Sequence, residues 1–194
     1  CRVLLSVAAP LAVAGILLPR SASLLAQARD AVPLLDRRSV APYVPMPWHV
    51  VDRVIEVAEV SPDDVVYDLG AGDGRILLRA AKNRGARGIG YEINPALVEE
   101  ARSAIRAAGV QERVEVREGD FFEADLRPAT VVTLFLITAA QRQLRPKLLE
   151  ELRPGTRVAC YKWEIPGWNP SKTVTVPVSG AAHPIYVYRV GSHQ

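Results

Sequence analysis

The chain has 194 residues, enough for one domain with a sizeable core and too few for two. Apolar residues make up 49% and charged residues 23%, with 13 Gly and 15 Pro, a composition that excludes collagen-like, disordered and coiled-coil classes. The 24 Lys and Arg against 21 Asp and Glu leave a net charge of +3, so no dense basic field marks a nucleic-acid binder.

Val3 to Leu18 form a run of 16 residues without a charge, set between Arg2 and Pro19-Arg20. A straight helix of that length reaches only about 24 Å, short of the roughly 30 Å hydrocarbon layer, and Pro10 and Gly15 weaken it further. Residues 1–28 therefore read as a signal peptide or a membrane anchor. Ala26-Gln27-Ala28 offers a small-x-small cleavage site. Against cleavage, Arg20, Arg29, Arg37 and Arg38 follow the run and only Arg2 precedes it, which keeps the downstream domain of an uncleaved anchor on the cytoplasmic side. Export after cleavage is the alternative, and a buried core helix the third reading. Residues 29–47, with Pro33, Pro42, Pro45 and Pro47, read as an extended linker.

Residues 48–190 alternate between the two secondary-structure periods, and 191–194 form a tail. Trp48 to Glu59 carries Val51, Val54, Ile55 and Ala58 on one helical stripe, broken by Ser61-Pro62-Asp63-Asp64. Val65 to Leu69 is a short apolar strand. Ile76, Leu77, Ala80 and Ala81 stripe a second helix, and Gly88 to Tyr91 is a second strand, completing a βαβ unit. Asn94-Pro95 supplies a cap and an N1 proline for a helix with Val98, Ala101, Ile105 and Ala108 inward, closed by Gly109. Strand Val114 to Arg117 follows. Thr130 to Ile137 has the unbroken apolar character of a strand buried on both faces of a parallel sheet. Leu144, Leu148, Leu149 and Leu152 stripe the next helix, stopped by Pro154-Gly155. Arg157 to Trp163, Thr173 to Val178 and Ile185 to Val190 are the last strands, and the final two, with no helix between them, pair antiparallel. The order predicts an α/β fold, a doubly wound, mostly parallel sheet with a terminal antiparallel hairpin.

The chemistry concentrates at Asp68-Leu69-Gly70-Ala71-Gly72-Asp73-Gly74-Arg75, where the first strand turns into a helix. Glycines there let a ligand approach backbone closely. A dinucleotide loop reads G-x-G-x-x-G, but here Arg75 stands in the third glycine's place, and Asp68 and Asp73 would repel a diphosphate by about 1 kcal/mol or more at ~4 Å. A cationic ligand fits better, and S-adenosylmethionine, with an ammonium, a sulfonium and no phosphate, has that character. Glu92, eighteen positions after Gly74, ends the second strand where an acid accepts from both ribose hydroxyls. Asp120 follows the third strand, placed to accept from an adenine amino group, with Phe121 beside it. A tight turn explains the glycines alone, a solvated strand end Glu92 alone, and a turn former Asp120 alone. Their alignment at the ends of three consecutive strands, the rim that binds ligands in open parallel sheets, points to one nucleoside.

With these residues the chain resembles, over roughly residues 42–190, the class I, seven-strand methyltransferases that use S-adenosylmethionine. The closer similarity is to lysine methyltransferases of the adenine nucleotide translocase and ATP synthase c-subunit type. It is carried by Pro42-Tyr43-Val44-Pro45, Asp68 to Ile76, Gly90 to Pro95, and Trp163 to Pro170. The resemblance implies a Rossmann-like fold, with Asp68, Gly70, Ala71, Gly72, Asp73, Gly74, Glu92, Asp120 and Phe121 holding the cofactor. It implies a protein substrate; the N-terminal anchor admits a membrane-embedded one, and the near-balanced charge points to no nucleic acid. The strand end Leu134 to Thr138 faces the methyl donor in this fold class and lacks the Asn/Asp-Pro-Pro-Tyr/Phe motif of base-amine methylation. Tyr43, Phe135 and Trp168 are candidates for a channel around a lysine stem, and Glu164 for orienting its amine. Packing is the competing role for Trp48, Trp163 and Trp168.

In-line transfer from a sulfonium needs alignment and exclusion of water and no covalent nucleophile, so no residue is assigned as catalytic. His49, His183 and His193 receive no chemical role. Cys1 and Cys160 lack metal-ligand spacing, and no metal is expected. A small-molecule or lipid methyltransferase and a non-catalytic nucleoside-binding domain stand as alternatives.

Overall fold

The computed structural model describes residues 43–191. The apolar run, residues 1–28, most of the linker and residues 192–194 lie outside the described residues. Twelve elements follow in order: α1 (Trp48–Val57), β1 (Val65–Leu69), α2 (Arg75–Arg84), β2 (Arg87–Glu92), α3 (Pro95–Ala107), β3 (Val114–Glu118), a 3-10 turn (Phe121–Glu123), β4 (Val131–Leu134), α4 (Thr138–Glu151), β5 (Arg157–Tyr161), β6 (Lys172–Val178) and β7 (Ala181–Arg189). The strands form one sheet in the order β3-β2-β1-β4-β5-β7-β6. Strands β1 to β5 run parallel, and β7 is antiparallel to both β5 and β6. This is the doubly wound sheet with a terminal hairpin expected from the sequence. The chain reverses direction in strand order at β1, so a crevice opens beyond the carboxyl end of that strand.

The helices form where the apolar stripes run. Ile76, Leu77, Ala80 and Ala81 of α2 are buried, and Gly85 in the left-handed region ends the helix with its N–H on Ala81. Asn94 caps α3 through Oδ1, which accepts the Ala96 N–H at 3.0 Å, and Pro95 occupies N1. One face of the sheet packs against α1, α2 and α3, the other against α4 and the 124–129 loop. Each fully buried Leu, Val or Ile in these layers contributes roughly 1.5–3 kcal/mol.

Below the sheet, Asp64 ties its amino-terminal edge together. Its carboxylate accepts the Ser61 N–H at 2.7 Å, the Ser61 hydroxyl at 2.9 Å and the Thr130 hydroxyl at 2.7 Å, and pairs with Arg157.

Four sequence expectations are corrected. The strand expected over Thr130 to Ile137 stops at Leu134, because β1 pairs only as far as Leu69 and Gly70 turns away with φ +91°. Strand β5 stops at Tyr161 and not Trp163, because Lys162 takes φ +74°. Leu149 leaves the helix stripe and is 42% exposed, while Ala140 and Gln141 take buried positions. Strand β7 begins earlier than Ile185, since Ser179 and Gly180, both at positive φ, make a two-residue hairpin turn. Tyr43–Pro47 carries no regular structure, as the end of a linker would, yet Met46 lies in the core beside α1.

Candidate functional site

One cavity of about 240 Å³ lies at the carboxyl ends of the parallel strands. Asp68, Gly70, Ala71, Gly72, Asp73, Glu92, Asp120 and Phe121 all line it. The acids from three strands therefore converge on one space, as the sequence reading requires. Gly74 does not line it. That residue enters α2 at φ +77°, and a Cβ there would press on Ala101 at 3.0 Å.

The loop is built by backbone. Gly70 and Ala71 N–H groups both donate to the Tyr91 carbonyl at 2.9 Å, which fastens the turn to the end of β2. Gly72 N–H donates to Glu92 Oε2 at 2.9 Å, and Asn94 N–H to Oε1 at 2.9 Å. Each carboxylate oxygen accepts one of these bonds and has room for a second, so one acceptor position per oxygen remains for a pair of ribose hydroxyls. Close approach of loop and strand explains Gly90, where a Cβ would fall 2.7 Å from both Ala71 Cβ and Leu77 Cδ1. Asp120 Oδ1 accepts the Phe122 N–H at 2.9 Å, which folds the 3-10 turn and sets Phe121 on the cavity wall.

Asp68 is 3% exposed and accepts the Thr133 hydroxyl at 2.7 Å. Burial pushes its carboxyl up to about 7, the Thr133 hydroxyl opposes this, and the charges of Glu92 and Asp73 add to it. Among the described residues no side-chain cation pairs with Asp68. Thr133 was missed from the sequence, though a hydroxyl inside an apolar strand, in register with Asp68, is the signal for it.

Asp73 corrects the electrostatic argument. Its carboxylate is taken by the Arg75 guanidinium, with Nε 2.8 and 3.1 Å from the two oxygens. Against the desolvation that raises it, Arg75 and the Tyr43 hydroxyl hold its carboxyl below the usual range. The repulsion reserved for a diphosphate therefore falls on Asp68 and Glu92, and Asp73 serves as an anchor. Arg75 also donates to the Met46 carbonyl, drawing residues 43–46 over the loop. The Tyr43 ring lies so close to Gly72 that a Cβ there would be 2.5 Å from it.

The opposite wall is Phe135, Leu136, Ile137 and Trp163. Phe135 stacks on Trp163 with centroids 5.7 Å apart at 23° and meets Tyr161 edge-on at 4.8 Å. The structure places Trp168 elsewhere: it is 4% exposed and packs edge-on against Tyr188, off the cavity. Glu164 is exposed and is also not on the wall. Of the substrate-side candidates, Tyr43 and Phe135 line the cavity and Trp168 and Glu164 do not. Trp163, left as a packing residue, takes the place assigned to Trp168, because the left-handed turn at Lys162 swings it inward.

A buried carboxylate with no side-chain cation paired to it among the described residues, a strand-end acid at Glu92 with acceptor positions left, Asp120 and Phe121 on the same wall, and glycines at positions 70 and 72 of the loop fit a cationic nucleoside. Fold and site together define a class I S-adenosylmethionine-dependent methyltransferase. Within that class the chain belongs to the family whose model is described as the ANTKMT methyltransferase domain, matched over residues 68–172. It is 47% identical over 154 residues to a protein-lysine N-methyltransferase of Saccharolobus islandicus, covering 79% of this chain and 96% of that one. It is 37% identical to the adenine nucleotide translocase lysine N-methyltransferase of Mus musculus, covering 71% of this chain but only 59% of the longer mouse protein. Among solved structures, an RNA methyltransferase from Salinibacter ruber in complex with S-adenosyl-L-homocysteine aligns with a TM-score of 0.73 at 47% identity, covering 78% of this chain and 96% of that one.

Proposed function

We propose that this enzyme transfers methyl groups to the side-chain amine of lysine in a protein substrate. One observation carries the reading: the cavity is closed opposite the acids by an apolar, aromatic wall, Phe135 and Trp163, and its mouth exposes Tyr43, Val44 and Ile93. An apolar channel suits an alkyl stem, and desolvation there favours the neutral, nucleophilic amine over the ammonium whose reference pKa is about 10.4. When bound, S-adenosylmethionine supplies an electrophilic methyl carried by a positive sulfur. Asp68 holds negative charge for the cationic end, Glu92 accepts from the ribose, and Asp120 with Phe121 receives the base. Phe135, Leu136 and Trp163 keep water from the reacting amine, and the amine's proton leaves to solvent.

The relatives named above for lysine methylation support the acceptor. The apolar run of residues 3–18, with the exposed apolar mouth, supports a membrane-embedded one. The arginine bias around residues 3–18 supports an anchored enzyme whose domain faces the cytoplasm, where the methyl donor is made; export after cleavage is the alternative. The Salinibacter ruber neighbour makes RNA the second acceptor to test. Methyl-labelled S-adenosylmethionine is incubated with membrane protein, soluble protein, lipid extract and RNA, with Asp68→Ala as control. Label on lysine in a membrane protein is the expected result. Label confined to RNA or to a lipid or metabolite overturns the acceptor, and binding without turnover in every fraction overturns the activity.

A further inference from the structure

Gln141 is the most completely buried polar side chain among the described residues, at 0% exposure, and the chemistry above does not use it. It stands at the end of the first turn of α4. Its Nε2 donates to the Leu136 carbonyl at 2.8 Å and to the Trp163 carbonyl at 3.1 Å. Both recipients line the cavity, yet they belong to separate segments. The β4–β5 ladder ends at the Leu134–Cys160 pair, so beyond it no strand pairing joins these segments. The Gln141 amide replaces the ladder at the point where the two strands leave the sheet.

The segment it holds at Trp163 is bracketed by backbone turns, with Lys162 at φ +74° and Gly167 at φ +74°. Lys162 pays the cost of a left-handed conformation that ordinary side chains avoid. The backbone N–H of Trp163 bonds the Tyr161 carbonyl at 3.0 Å and that of Lys162 the Pro184 carbonyl at 2.8 Å, but without an anchor at the Trp163 carbonyl the indole rests only on its stack with Phe135 and the cation of Lys162, 4.9 Å from the ring centroid. The amide is itself not fully satisfied, because Oε1 is buried without a partner. A buried polar group with one end unpaired is costly, and its two donated bonds are what hold it there.

We propose that Gln141 is a positioning residue that fixes Trp163 against Phe135 and so sets the acceptor-side wall of the cavity. This rests on the reading that the acceptor enters along that wall. Gln141 touches neither cofactor nor acceptor and acts through the two carbonyls.

The test uses Gln141→Met, which keeps length and volume and removes both donors. Amide hydrogen exchange over residues 135–138 and 161–168 should quicken by about tenfold while the 68–76 loop keeps its rate. Affinity for S-adenosyl-L-homocysteine should stay within about twofold, and label transfer into titrated membrane protein should lose roughly tenfold in kcat/KM, chiefly through KM. Gln141→Glu keeps one donor only when protonated, so its rate relative to wild type should rise as pH falls, which a merely structural loss would not produce. The inference is overturned by wild-type exchange in both segments of Gln141→Met, or by cofactor affinity and acceptor KM changing alike. If Gln141→Met does not fold, a pH-independent Gln141→Glu overturns it. Wild-type enzyme that labels no protein lysine refutes the proposed acceptor instead, and the exchange comparison still decides the role of Gln141.

Discussion

Asp68→Asn should make the protein more stable and bind its cofactor worse. The asparagine retains an oxygen for the Thr133 hydroxyl, whose bond to Asp68 is 2.7 Å long, and it removes the buried charge. The native carboxyl is raised from an ordinary 3.8 to about 7. Between those values the folded protein keeps a proton that the unfolded chain releases, so stability falls as pH rises from about 4 and the full cost is reached above about 7. A shift of some three pH units corresponds to about 4 kcal/mol. Asp68→Asn escapes this cost, gaining up to about 4 kcal/mol at pH 8 and less than half of that at pH 5, equivalent to on the order of 10 °C in Tm at the higher pH. Denaturant unfolding of both proteins at the two pH values, without cofactor, measures it. Calorimetry at pH 8 should show S-adenosylmethionine affinity reduced by about thirtyfold or more, since a charge partner of the cationic ligand is lost. Equal stability at pH 8, or the same gain at both pH values, would refute the view of Asp68 as an uncompensated buried charge.

Glu92→Ala removes the acceptor of two backbone amides and of the ribose; calorimetric affinity for S-adenosyl-L-homocysteine should fall by about a hundredfold, and a change under threefold contradicts the assignment. Gly90→Ala places a methyl 2.7 Å from Ala71 and Leu77, so unfolding free energy should drop by about 1–3 kcal/mol with cofactor affinity falling alongside. Asp64→Ala leaves Arg157 without its carboxylate and should cost about 3 kcal/mol in denaturant unfolding with cofactor affinity intact. Although desolvation pushes it up, the bonds from Thr130, Ser61 and Arg157 hold the Asp64 carboxyl below its ordinary value. Its contribution is therefore present above the unfolded value and lost as pH falls through the lowered one, so the gap between Asp64→Ala and wild type should close in acid. Trp163→Phe should slow label transfer to the acceptor, whereas Trp168→Phe should change stability alone, and the reverse pattern would restore the original assignment of Trp168.

The cofactor side was legible because strand ends fix positions. Once Val65 to Leu69 is read as a strand, Asp68, Glu92 and Asp120 fall on one rim by topology alone, and their flanking glycines mark the close approach. The acceptor side was not, because it lies where strands stop. Nothing in Cys160-Tyr161-Lys162-Trp163 announces a left-handed Lys162, and without that turn Trp163 and Trp168 cannot be told apart. Arg75 taking Asp73 was open to reading, two residues away on a new helix. The contact of Tyr43 with Gly72 joins residues far apart in the chain and depends on Arg75 reaching the Met46 carbonyl. Gln141 sits in a pattern that reads as an ordinary leucine stripe, and its two bonds depend on where β4 and β5 cease to pair.

The most direct measurement is a crystal structure of this chain with S-adenosyl-L-homocysteine. The account requires the ribose on Glu92, the adenine beside Asp120 and Phe121, and the amino group toward Asp68, with the sulfur facing the Phe135 and Trp163 wall. A nucleoside bound elsewhere, or bound with its ribose turned away from Glu92, would contradict it.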